Sequence, residues 1–431
     1  MDTLDPAMMS GGSGSAQERV ESLIFENLVE FDDSGTLQPK LASGWQHSPD
    51  YKHWEFEIRA GVKFQNGQPL TSTLAAESLR HSLATTSVKV SAESGHVVME
   101  GDTAMTGLGA ELAKPRNALV WRSANGELSG TGPFRVAGKQ SKQVSLAAND
   151  DHWDGRPYLD GVEITTERAT REQLIDLELG KADVIELELD QNRQAQQSGE
   201  RVASSEPAEL LALVFNPGSG AARDERLRRA LALAIDRAAI CNVLLQRQAE
   251  ATAALLPQWM TGYAFLFPSG RDLEQAREQQ IKTPSITLDY DFADTSAKVI
   301  AERIAVNARE AGIVVQTVGE NLTVRAGNGD ATILRVRLGS ADAKTALENV
   351  AAALSIQRPE ELQRAHNPEH LYGAESAMLA DHRIIPIAHV PENHGLSARV
   401  KNWVTGPEGG WRLEDVWLAV GAAGEMAAGH P

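Results

Sequence analysis

With 431 residues, the chain is about two to three times the length of a typical domain, so two lobes or a discontinuous arrangement is expected. Its 42% hydrophobic and 23% charged residues exclude wholesale disorder. The net charge of −18 opposes sequence-independent binding to nucleic acid or anionic lipid, and no run approaches the roughly 18 apolar residues of a membrane span.

Leu23 to Phe31 is mostly apolar and ends in the turn residues Asp32, Asp33, Ser34 and Gly35, which predicts an element closed by a tight turn. Trp54, Phe56 and Ile58 alternate with Glu55, Glu57 and Arg59, the period-two signature of a half-buried strand. After the Asn66-Gly67 turn, the spacing from Thr71 to Leu83 predicts a helix capped by Thr71 or Ser72. Gly130, Gly132 and Pro133 punctuate the chain before Phe134 to Val136, and Val144, Leu146 and Ala148 alternate, so a hairpin is expected there. An ordered loop over Asp150 to Asp160 precedes a strand at Val162 to Thr165. Glu172 to Leu179 reads as a short helix stopped by Gly180, and Asp183 to Leu187 as a strand.

Further along, Leu211 to Phe215 is a continuous apolar run closed by Asn216-Pro217-Gly218, which predicts a buried strand. The next helix opens at Asp224 and Glu225 and places Leu227, Ala230, Leu231, Ala234 and Ile235 on one face. Cys241 is the chain's one cysteine and sits among Ile240, Val243 and Leu244, so an inert buried thiol is expected. Ile286 to Tyr290, Ser296 to Ala311 and Ile313 to Val318 form a strand, helix and strand, a βαβ-like unit. Ile384 to Val390 reads as a late strand broken by Pro386. Trp45, Trp54 and Trp153 are expected as packing residues. No charged region followed by an apolar core opens the chain, so a signal peptide is not visible.

With these elements placed, several ordered segments become telling: Leu4-Asp5-Pro6-Ala7; Ile24-Phe25-Glu26-Asn27-Leu28; Pro39-Lys40-Leu41-Ala42 with Trp45; Val62-Lys63-Phe64 with Asn66-Gly67; Gly130-Thr131-Gly132-Pro133-Phe134; and Phe215-Asn216 leading to Arg228-Arg229-Ala230-Leu231 and Ile235-Asp236-Arg237. In this order the chain resembles the family 5 extracellular solute-binding proteins of ABC importers, which include dipeptide-, oligopeptide- and nickel-binding types. The resemblance implies an α/β, two-lobed fold of the periplasmic-binding-protein type II class with the ligand cleft between the lobes. It implies lobe I at 1–213 and 388–431 and a shortened lobe II at 214–387, with crossings near Leu213 to Asn216 and Pro386 to Val390. The implied function is to bind a short peptide or similar small polar solute by lobe closure and pass it to a membrane permease, as a monomer in the periplasm or outside the cell, without a cofactor.

The same resemblance nominates ligand-binding residues. Glu26, Asn27 and Leu28 lie in a stretch that contacts ligand in peptide-binding members, and a Glu26 carboxylate suits an ammonium group. Asn27 stands where the family usually has glycine. In the second lobe, relatives hold the ligand's α-amino group with a Trp- and Asp-containing segment, whereas Leu334 to Asp342 here reads LRVRLGSAD. Asp342 and Arg337 are the candidates from that stretch, and Trp259 and Tyr263 are candidates to line the pocket.

Three other readings compete. His366, His370, His382, His389 and His394 raise nickel or metal-chelate binding, but Pro368 between the first two argues against a helix presenting both, and no metal site is assigned. No Gly-x-Ser-x-Gly elbow, His-Glu-x-x-His, Walker A loop or paired-cysteine motif is present, so an enzyme is not expected. A ligand-sensing or interaction module with the same fold and no transport role is the remaining alternative.

Overall fold

The computed structural model describes residues 4–8, 16–279, 281, 285–322, 327–365, 367–407 and 409–419. The chain divides into two compact units, one of Met1–Ile185, Leu396–Gly406 and Gly410–Pro431, the other of Glu186–Gly395 and Pro407–Gly409. It therefore passes from the first unit to the second at 185–186 and returns at 395–396. Leu213 to Asn216 and Pro386 to Val390 lie inside the second unit. No helix among the described residues is long and apolar enough to cross a membrane.

In the first unit, a four-stranded antiparallel sheet takes the order Ala42–His47, His53–Ile58, His96–Glu100, Lys89–Glu93. Trp54 and Phe56 point from it into a core with Phe64, Leu79, Met99 and Leu112. The helix Ser72–Ser82 covers this core, and Thr71 caps it by accepting from Leu74 N–H at 3.3 Å. The expected hairpin is present as Phe134–Gln140 with Gln143–Ala148, and Gly161–Thr165 adds a third strand. Val29–Phe31 pairs with Leu37–Pro39 across the Asp32 turn, whose Oδ1 accepts from Ser34 and Thr36 N–H at 2.9 Å each.

The second unit is organised by a mixed sheet in the order Val184–Leu187, Ile384–Leu396, Arg201–Phe215, Ala331–Arg337, Ser285–Asp291, Val314–Glu320. Both faces of its central strand are covered: Leu211, Leu213 and Phe215 enter one core, and Leu210 and Ala212 enter another. That double burial is why the run is apolar without alternation. The strand begins at Arg201, ten residues before the apolar run; its first half is polar and carries no period-two signal, so the sequence does not reveal it. The βαβ unit is present, with Ser285–Asp291 and Val314–Glu320 parallel and the connecting helix Thr295–Glu310 burying Ile300, Ala301 and Ile304.

Pro386 does not break the late strand, which runs from Ile384 to Leu396. The ring removes one ladder donor, but the Pro386 carbonyl is bonded by Arg237 Nε at 2.8 Å. Arg228 Nε likewise donates to the Asp381 carbonyl at 2.7 Å. These two buried arginines fasten the segment Glu225–Ala239 to the strand Ile384–Leu396 and to the turn just before it. Cys241 is buried, and burial pushes its thiol up to about 12, so it stays protonated and inert.

Candidate functional site

In the first unit, three of the family-like segments come together. Gly132 N–H donates to the Ile24 carbonyl at 2.9 Å and Phe134 N–H to the Leu23 carbonyl at 3.0 Å. Gln65 Nε2 lies within 3.1 Å of the Ile24 and Gly132 carbonyls and 2.7 Å of that of Phe134, while its backbone N–H reaches the Gly130 carbonyl at 2.9 Å. The approach leaves no room for a side chain: a Cβ at Gly130 would stand 1.9 Å from the Ile24 carbonyl oxygen.

Glu26 sits at the middle of this junction with its side chain 4% exposed. Its Oε2 accepts from Thr131 Oγ1 at 2.8 Å and from Trp153 Nε1 at 3.0 Å, and its Oε1 from His152 Nε2 at 3.4 Å. His152 Nδ1 faces the Gly155 carbonyl at 3.0 Å, so both ring nitrogens meet acceptors and the imidazolium form is favoured. Burial alone would lower His152, but Glu26 outweighs it and raises the imidazole above its ordinary value. Burial alone would raise Glu26; the hydrogen bond from His152, the charge of Lys40 and the Trp153 bond hold it below the usual carboxylate range instead. Arg59 stacks over the Trp153 ring at 4.5 Å and donates to the Lys40 carbonyl at 2.7 Å.

The neighbouring candidates face inward as well. Asn27 Nδ2 donates to the Leu112 and Lys114 carbonyls at 2.7 and 2.8 Å, which gives the departure from glycine a structural use. Leu28 is buried in the first core beside Leu41.

In the second unit, Arg335 and Arg337 project from one face of Ala331–Arg337 into a group of carboxylates. Arg337 Nε lies 3.2 Å from both Glu209 and Glu392. Arg335 meets Glu188 at 3.1 Å, Asp294 at 3.3 Å and Glu209 at 3.6 Å. Glu209 opposes Arg337 in the strand register. Burial alone would lower Arg335, yet Glu209, Glu188 and Asp294 outweigh it and raise the guanidinium. Burial holds Glu188 above its usual range.

Trp259 Nε1 donates to the Pro207 carbonyl at 3.0 Å, so Trp259 and Arg337 are tied to positions two residues apart on the same strand. Tyr263 donates its hydroxyl to Glu375 Oε2 at 2.9 Å. Asp342 caps the helix Ala343–Ala353, accepting from Thr345 N–H at 2.8 Å and Thr345 Oγ1 at 2.7 Å. Asp342→Ala is expected to destabilise the second unit by about 1 kcal/mol, measured as a shift of its urea midpoint at unchanged slope.

The structure thus gathers Glu26, Asn27 and Leu28 at one junction, Trp259 and Arg337 near one strand, and leaves Asp342 committed to a helix end. Thr131 and His152 were not singled out from sequence, nor were Glu188, Glu209, Asp294, Arg335, Glu375 and Glu392. The period-two spacing of Arg335 and Arg337 was the one legible signal; the carboxylates come from distant segments and need the strand register to find. Of the histidines, His366 lies outside the described residues. His389 is fully buried and donates to the Leu255 carbonyl at 3.1 Å, His370 lies in the first turn of the helix Pro368–Leu379, and His382 adopts a positive φ. Among the described residues, no group of three or more His, Cys, Asp or Glu side chains is arranged to hold a metal ion.

The model of the bacterial extracellular solute-binding proteins, family 5 Middle, matches residues 36–95 and 105–355, more than half of the chain. The nickel-binding protein NikA of Staphylococcus aureus is 26% identical over 239 residues, covering 52% of this chain and 48% of that protein. The nickel-binding periplasmic protein of Escherichia coli is 24% identical over 353 residues, covering 70% of this chain and 66% of that one. The chain therefore aligns with less than two thirds of either relative's length. In fold, the crystal structure of Haemophilus influenzae OppA in complex with the peptide RPPGFSPFR superposes with a TM-score of 0.77 at 17% identity, over 96% of both chains. The shared segments, the two-unit α/β architecture and the extent of the match make this chain a member of the bacterial extracellular solute-binding proteins, family 5.

Proposed function

We propose that the protein is the substrate-binding component of an ABC importer, taking a short peptide or similar small polar solute and passing it to a membrane permease. The observation that carries this reading is the family match over a chain that folds as two compact units. Two strand-borne arginines set among carboxylates, Arg335 and Arg337, suit a polar, charged solute better than an apolar one. The protein works by binding and not by catalysis, as a monomer, in the periplasm or outside the cell, and without nucleic acid. Binding is coupled to lobe closure, as the resemblance to the family implies.

Native mass spectrometry of protein purified without denaturation, followed by thermal-shift titration with di- and tripeptides, opines, sugars, and nickel(II) with and without L-histidine, tests the reading. A ligand at about 100 times its Kd stabilises the folded state by about 2.7 kcal/mol, so a true solute raises the melting temperature. A peptide response supports the proposal as stated. A response to nickel(II) alone or to its histidine complex replaces the peptide with a metal chelate. A flat panel together with no trapped small molecule overturns solute import and favours a sensing or interaction role.

A further inference from the structure

Both backbone polar groups of Leu255 are held by buried titratable side chains. Its N–H donates to Glu375 Oε1, and the Leu256 N–H donates to the same oxygen at 3.2 Å. Its carbonyl accepts from His389 Nε2 at 3.1 Å. Glu375 Oε2 takes the Tyr263 hydroxyl at 2.9 Å. Glu375 belongs to the helix Pro368–Leu379 and His389 to the strand Ile384–Leu396, and both are essentially inaccessible to solvent. The Tyr263 ring in turn meets Tyr372 edge-on at 5.5 Å, and Phe267 lies 5.1 Å from Tyr372.

A buried carboxylate is expensive to desolvate, and one that accepts three hydrogen bonds from a single short segment fixes the place of that segment. We propose that Glu375 and His389 are positioning residues that fix the segment Thr252–Phe267, and with it Trp259 and Tyr263, and that the Glu375–Tyr263 hydrogen bond reverses on protonation so that the grip survives in both charge states. What the segment contacts rests on the solute-binding reading; the grip does not.

The proton balance is simple. In the ionised state Tyr263 donates to Oε2. When Oε2 takes a proton from solvent, its new O–H donates to the Tyr263 oxygen, and Oε1 keeps both backbone N–H groups. Burial pushes the Glu375 carboxyl up to about 7, so both states are populated near neutrality. His389 is pushed down to about 4 by burial and remains neutral, with the hydrogen on Nε2 because the Leu255 carbonyl can only accept. The groups facing the carboxyl are therefore Tyr263, backed by Tyr372, on one side and His389, across the Leu255 peptide, on the other.

Fluorine NMR of the 5-fluorotryptophan-labelled protein tests this, with the Trp259 resonance among the 8 tryptophans assigned by Trp259→Phe. Glu375→Gln reproduces the protonated geometry, with its carbonyl accepting both N–H groups and its amide donating to Tyr263. The Trp259 resonance is expected to stay in place in the wild type and in Glu375→Gln between about pH 5.5 and 8.5. It is expected to move or broaden in Glu375→Leu and His389→Leu while the other resonances hold. Tyr263→Phe, which keeps both backbone bonds and the ring, is expected to make the resonance pH-dependent, because the ionised Oε2 then lacks its donor. A wild-type resonance that titrates near neutrality overturns the reversal. A Glu375→Gln spectrum as disturbed as that of Glu375→Leu overturns the grip, and a Tyr263→Phe spectrum indifferent to pH overturns the reversal. No outcome depends on a bound solute, so failure of the ligand panel and failure of this inference are separate results.

Discussion

Glu26→Ala is expected to lower the stability of the first unit by about 3–5 kcal/mol, the usual consequence of removing one partner of a buried ion pair. The substitution strands the His152 imidazolium and leaves Thr131 Oγ1 and Trp153 Nε1 without the acceptor they share. Circular dichroism during urea unfolding, read at the transition assigned to the first unit, measures the loss. A chain of two units need not unfold in one step, so the second transition is the internal control and should not move. If Glu26 acted only as a solute contact, its removal would leave the unfolding curve in place and weaken binding alone. An unchanged first transition would therefore defeat the anchoring role.

The same pair sets a pH window. His152 is raised above its ordinary value of 6.5, so its contribution is fully present below 6.5 and is lost as pH rises through the folded value. Glu26 is lowered below 4.5, so its contribution is fully present above 4.5 and is lost as pH falls through the folded value. The pair is expected to stabilise most between these two limits. Glu26→Ala should flatten both flanks of the first unit's stability profile.

Gly130→Ala is expected to be comparably damaging, at about 3 kcal/mol or more, with loss of soluble protein. A methyl there would meet the Ile24 carbonyl oxygen at 1.9 Å, its carbon at 2.7 Å and Phe25 Cδ1 at 2.8 Å. Two of these atoms are backbone and cannot rotate away. Relief requires the loop to withdraw, which gives up the bonds from Gly132 N–H to the Ile24 carbonyl and from Gln65 N–H to Gly130, each contributing about 1 kcal/mol. Gly220 is the control: it has helical backbone angles and open space where the Cβ would go. Gly220→Ala is expected to be neutral or stabilising by about 0.4–1 kcal/mol, so equal effects at the two glycines would refute the steric argument.

Particular elements show how far local signals carried. Thr71, Asp224 and the alternation through Trp54 and Phe56 are short-range features, since caps, turns and periodicities depend on residues within one or two turns of each other. They placed the helices Ser72–Ser82 and Glu225–Ala234 and the strand His53–Ile58. Even the apolar run at Leu211 to Phe215 announced its double burial. The polar start of that strand at Arg201 and the passage of the strand Ile384–Leu396 through Pro386 were not legible, because both depend on partners supplied by other segments.

The candidate residues divide the same way. From residue types and order alone, the sequence determined a two-part α/β protein, its family and the positions worth testing: Glu26, Asn27, Leu28, Trp259, Tyr263, Arg337 and Asp342. Only the tertiary structure decided what their polar atoms do. It gives the Glu26 carboxylate to Thr131, Trp153 and His152, the Asn27 amide to two carbonyls, the Asp342 carboxylate to a helix end, and Arg337 to Glu209 and Glu392. Most of these partners lie more than 80 residues away, where no local pattern reaches. A side chain's type fixes which bonds it can make, but burial and long-range register fix which of them it has already made.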